Sequence, residues 1–333
     1  MKISGFVCYA LSSCVAAALL AGCGGSQPPM SAPDAIPLAH RTSAALTDEA
    51  LLYASRDTSV YFFSYPGLKQ VGQLSGFEYI KYDEYFIPEG LCTDNAGDVY
   101  VAGLIYYAGQ SLSGQVYEFE HGGQTPIATL SEKYGATGCA VDPETGDLAA
   151  SNVRSSVSGH GSVAVFKKAR GKPKYYVNAE ATSFTFCTYD DTGDLLVAQG
   201  NLKGIAELPD GATSFQEVPL SNEANVRSVQ WNDGTLAVSS YSGKRKTPNY
   251  IYRVTIANGV AQIVGTTTVD GLFHRPTGGQ FWIDGGHMVA TGRSAPRGSA
   301  LRLLMWRYPA GKNPTKALNT PGGWAGVTVS EAP

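Results

Sequence analysis

Pro88-Glu89-Gly90-Leu91-Cys92-Thr93-Asp94-Asn95-Ala96-Gly97-Asp98-Val99-Tyr100-Val101-Ala102 reads as a strand, a tight turn and a second strand. Gly97 supplies the left-handed backbone that such a turn needs, and the Asp94 side chain can bond its own turn amides. The pattern returns at Gly138-Cys139-Ala140-Val141-Asp142-Pro143-Glu144-Thr145-Gly146-Asp147-Leu148-Ala149-Ala150, one residue longer in the turn. It returns again at Phe186-Cys187-Thr188-Tyr189-Asp190-Asp191-Thr192-Gly193-Asp194-Leu195-Leu196-Val197-Ala198. Weaker copies surround Asp233-Gly234 and Asp284-Gly285. Each copy is a hairpin.

Two further strands follow each hairpin, as in Gln115–Phe119 and Pro126–Leu130, Val163–Phe166 and Lys174–Val177, or Ile251–Val254 and Gln262–Gly265. Four antiparallel strands recurring every roughly 40–50 residues is the period of a β-propeller. The chain enters this pattern at Leu51–Ser55 as a second strand without a first. It leaves at Trp324–Ser330 as a first strand without a second. Joined, the two complete one blade, so the expected architecture is all-β: a six-bladed propeller of four-stranded blades, closed by its N- and C-terminal strands. The abundance of turn formers, 39 Gly and 18 Pro in 333 residues, suits many short strands.

The second hairpin, from Pro88 to Ala102, resembles the NHL repeat, and residues 51–330 as a whole resemble six-bladed NHL-like propellers. NHL repeats usually continue with Asp where this chain has Gly103. The resemblance implies a fold and leaves the function open.

Residues 1–22 read as an export signal, with Lys2 as a short basic region and no charge from Ile3 to Leu20. Leu20-Ala21-Gly22-Cys23 resembles a lipobox, which implies cleavage before Cys23 and acylation of its thiol. Two or three acyl chains give stable membrane anchoring. Residues 23–48, rich in Pro, Ala and Ser, read as a tether to the propeller at 49–333. Gly24 rather than Asp after the lipidated residue resembles cargo for the outer membrane of a diderm. A net charge of −3, or −4 once Lys2 is removed, offers nucleic acid no electrostatic attraction. A monomer is expected.

Cys92, Cys139 and Cys187 share one repeat position on three successive blades. They are expected to be small apolar fillers, too far apart for a disulfide. The acidic turns are expected to be structural, since they offer too few closely spaced oxygens for calcium. No Gly-x-Ser-x-Gly, His-Glu-x-x-His or phosphate-loop motif occurs. No cofactor is expected. The alternative is a divalent cation at the channel mouth serving a lyase or lactonase. The architecture resembles gluconolactonase-type propellers, in which a Glu precedes the first inner strand much as Glu89 does here. That family's Asn and Asp ligands, and the His of streptogramin B lyases, have no match.

Propeller topology sends the connections between second and third strands, and those between blades, to one face. The expected rim there has an aromatic sector on Gly76–Pro88 and Gly103–Gly114, with Phe77, Phe86, Tyr79, Tyr82, Tyr85, Tyr106 and Tyr107 beside Glu89. Its other sector holds His160 and Tyr241, the cations Lys244, Arg245 and Lys246, and then His274 with Arg275. Exposed loop aromatics ordinarily cover or bind something. The rim is therefore expected to take a protein, peptide or glycan of the cell envelope.

Overall fold

In these sheets the side-chain alternation is an alternation of neighbours rather than of polarity. Leu51 and Tyr53 pack into one apolar cluster while Leu52 and Ala54 pack into another. Val99 and Val101 likewise part from Tyr100 and Ala102. A strand buried on both faces is what a blade stacked between two others requires. A computed structural model describes residues 48–77, 84–107, 110–152, 159–200, 204–222, 225–241, 249–270, 279–293, 301–318 and 323–332. Within it stand six antiparallel sheets of four strands each.

The first blade combines Trp324–Ser330 from the end of the chain with Leu51–Arg56, Ser59–Ser64 and Gln70–Gln73. The register is Leu51 opposite Ser330, Tyr53 opposite Thr328 and Ala54 opposite Val327, as the closure argument requires. The second blade is Tyr85–Thr93, Val99–Tyr107, Gln110–Phe119 and Ala128–Glu132. The third is Ala136–Val141, Leu148–Asn152, Gly161–Phe166 and Lys174–Asn178. The fourth runs from Phe184 to Val218, the fifth from Asn225 to Val269 and the sixth from Phe281 to Leu318. The six innermost strands touch in unbroken succession around the ring. Six apolar clusters fill the six gaps between blades.

The turns behave as their sequence asks. Asp94 Oδ1 accepts from the amides of Ala96 and Asp98, each at 2.9 Å, and Asp190 Oδ1 accepts from Thr192 and Asp194 at 2.8 and 2.9 Å. Gly97, Gly146 and Gly193 take positive φ of 82°, 73° and 83°.

Near the axis the inner strands crowd. Five of the six carry a register irregularity at an equivalent place, such as Pro88/Leu91 in the second blade and Val226/Ser228 in the fifth. A Cβ on Gly90 would lie 2.5 Å from Gly138 Cα. This crowding corrects the expectation for the cysteines. Cys92 and Cys139 form a disulfide with Cα atoms 5.7 Å apart, because equivalent positions converge where blades meet the axis. Cys187 is free and buried, the apolar filler expected of it.

Ring closure has a latch that the sequence did not suggest. His121, buried beside a turn of the second blade, bonds Ser330 Oγ at 2.6 Å and the Glu49 carbonyl at 3.1 Å. Ser330 Oγ donates in turn to the Gly97 carbonyl, and the Gly122 amide donates to Tyr53 Oη at 2.9 Å. The strands where the chain enters and leaves the propeller are thus fastened to its second blade on the turn face. The rim lies on the other face.

Candidate functional site: an aromatic ledge on the rim face

The second blade outgrows its neighbours toward the rim. Its second strand ends at Tyr107, whereas the matching strand of the third blade ends at Asn152, the counterpart of Gly103. Four further residues of strand add about 13 Å. Gly103–Gly114 is therefore a long hairpin rather than the expected loop, with Tyr106 opposite Ser111 and Tyr107 opposite Gln110. Tyr85 also stands in a strand, opposite Tyr106. Their rings stack at 6.0 Å and 22°. Tyr85 and Tyr107 remain 42% and 43% exposed, so the hairpin carries planar apolar surface outward.

Two aromatic residues assigned to that rim belong instead to the core. Phe86 is buried, and Phe77 packs on Phe86, Tyr117 and Phe119 with centroids 5.3, 5.3 and 5.7 Å away. They fill the gap between the first two blades, where alternation turns Phe86 inward while Tyr85 faces out. Tyr79, Tyr82, Lys244, Arg245, Lys246, His274 and Arg275 lie outside the described residues, as does Cys23. Tyr241 ends the second strand of the fifth blade. His160 is half-buried just before the third strand of the third blade, and no described residue bonds its Nδ1.

Glu89 sits at the strand irregularity of the second blade, where Ser55 Oγ donates to its backbone carbonyl at 2.9 Å. Burial pushes its carboxyl up to about 7. Such an acid can hold or release a proton near neutrality. Among the described residues, no group of three or more His, Cys, Asp or Glu side chains is placed to hold a metal ion.

A polar belt at the rim ends of the second, third and fourth blades was not read from the sequence. Asn152 Nδ2 donates to Glu132 Oε1 at 3.2 Å and to Ser162 Oγ at 3.1 Å, and the Tyr134 amide donates to Glu132. Asn178 and Gln199 donate to the two oxygens of Glu217 at 2.7 and 2.6 Å. Burial is the main force on Glu132 and pushes its carboxyl up to about 8, from 4.5 in an open chain. Between those values the unfolded chain has released a proton that the fold still binds, so folding stability falls as pH rises. The loss begins near 4.5 and is complete just above 8, with a slope of at most about 1.4 kcal/mol per pH unit from this group. Melting temperature is accordingly expected to drop between about pH 5 and pH 8, and Glu132→Gln to flatten that drop. An equally steep drop in the Gln variant would show that Glu132 is not its source.

No family model matches the chain, and no curated protein matches it. Solved structures do match in fold. A protein of unknown function from Bacteroides caccae superposes with a TM-score of 0.59 at 12% identity, over 85% of this chain and 99% of that one. A chain of a nidogen/laminin complex gives 0.59 at 11% identity, again over 85% and 99%. Hydrazine synthase of Kuenenia stuttgartiensis gives 0.50 at 15% identity, over 73% of this chain and 68% of that one. At such identities the likeness concerns the propeller alone.

Proposed function

We propose that this chain is a cell-envelope lipoprotein whose propeller, built of NHL-like repeats, is a binding or scaffold module. Cys23 anchors it in the membrane, and the rim face receives a protein, peptide or glycan. The observation that carries the reading is the tyrosine ledge: the Tyr85–Tyr106 stack and exposed Tyr107 on a hairpin that outreaches the next blade. Exposed, rigid aromatic surface of this kind is typical of interaction sites.

Two further features support it. Glu49 and Leu51, where the described chain enters the propeller, lie on the turn face, opposite the ledge. The Cys92–Cys139 disulfide suits an oxidising, extracytoplasmic compartment. The test is capture from native envelopes with the full tethered protein, alongside a Tyr85→Ala, Tyr106→Ala, Tyr107→Ala variant. A partner held by the wild type and lost from the variant is expected. A partner retained equally by both would refute the ledge as the binding surface.

A further inference from the structure

The turn face carries a second feature, independent of the ledge. Two of the seams between neighbouring blades leave a groove there, between the hairpin turns of one blade and those of the next. Between the third and fourth blades the groove is nearly filled, with about 100 Å³ left beside Val165, Tyr176 and Tyr189. Between the fifth and sixth blades the corresponding groove opens to about 360 Å³ and is lined by Asn232, Asp233, Arg253, Asp284 and Tyr308, with Ile283 at its wall. Register explains the difference. Arg253 pairs with Ala237 as Val165 pairs with Ala149, and Ile283 precedes its turn as Tyr189 does. A smaller side chain has replaced a tyrosine ring, and a cation has replaced a valine.

That cation is set in place within its own blade. Arg253 stands opposite Gly265, where a Cβ would come within 2.5 Å of one guanidinium nitrogen and 2.6 Å of Nε. The guanidinium therefore lies across a gap that only glycine leaves. Its Nε is buried and bonded to no described residue. A partly desolvated guanidinium ordinarily finds a planar anion for its parallel donors. Asp233 and Asp284 share the lining, so the pocket as a whole carries more negative than positive charge. A simple anion would be repelled, whereas a ligand with a carboxylate at one end and an ammonium at the other would match both signs. The volume sits at the small-molecule end of ligand pockets.

We propose that this pocket binds a free α-amino acid, its carboxylate on Arg253 and its ammonium on Asp233 or Asp284. The test uses the full chain and calorimetric titration with the common L-amino acids, and with acetate and methylammonium as half-ligands. At least one amino acid is expected to bind, with each half-ligand about tenfold weaker or more. Arg253→Gln is expected to lower that affinity by about tenfold or more with an unchanged melting temperature. Gly265→Ala, which keeps the arginine but displaces its head, should do the same. The proposal fails if no amino acid binds at millimolar concentration. It fails equally if acetate binds as tightly as the amino acid, or if Arg253→Gln binds like wild type.

Discussion

A chain lacking residues 324–333 is expected to lose cooperative folding altogether, although the deletion removes only one strand. That strand is the innermost of the first blade, and it packs on both neighbours. Trp324, Val327 and Val329 are at most 4% exposed and sit in the cluster that joins the sixth blade to the first. Each such side chain contributes about 1.5–3 kcal/mol by leaving water, and a domain's net stability is only about 5–15 kcal/mol. The loss does not stop at apolar area. The Gln280 amide donates to the Ala325 carbonyl at 3.0 Å, and Gln280 Oε1 accepts from the amides of both Val327 and Leu91. His121 would lose Ser330. Leu51–Arg56 would become an unpaired edge bearing Leu52 and Ala54 to solvent, an invitation to aggregate. Differential scanning calorimetry gives the answer. An unchanged transition in the truncated chain would contradict closure by the terminal strands.

Replacing Cys23 by Ser is expected to move the protein from the membrane fraction to the soluble one. Acyl chains contribute about 0.8 kcal/mol for each buried methylene, so losing them removes far more than the surface charge of the propeller could restore. Because the propeller begins only near residue 49, the soluble variant should melt as the wild type does. Fractionation after carbonate wash, with metabolic labelling by a fatty acid, checks both parts. Unchanged membrane retention of Cys23→Ser would remove the anchor from the account.

The blades were legible because their turns are written in residue types with fixed backbone consequences. An Asp, a Gly and a second Asp at set spacing can hardly do anything but turn. The closure was legible for a related reason: a repeat that starts at its second strand and ends at its first has one economical completion. The ledge was half legible. Its tyrosines stood out, yet Leu104-Ile105-Tyr106-Tyr107 followed by Ala108-Gly109 reads equally as a loop, and only the pairing of Tyr106 with Ser111 and of Tyr107 with Gln110 shows a lengthened hairpin. Phe77 and Phe86 misled because composition does not say which aromatic in a run faces inward. The disulfide escaped because its geometry depends on how tightly inner strands converge, which Gly90 and Gly138 permit but do not announce. Glu132, Glu217 and Arg253 stand in no motif that would single them out. Their surroundings come partly from neighbouring blades, at separations that no local pattern encodes.

The tyrosine ledge is the proposed working surface of the propeller. Once a partner has been captured, the direct measurement is its dissociation constant for wild-type protein and for the Tyr85→Ala, Tyr106→Ala, Tyr107→Ala variant, with both melting temperatures recorded. Aromatic anchors at interfaces are often worth about 2 kcal/mol or more, so affinity is expected to fall about thirtyfold or beyond. Melting should shift little, because Tyr85 and Tyr107 lie largely outside the packed clusters. Equal affinity in the two proteins, or a variant that binds poorly only because it no longer folds, would contradict the claim.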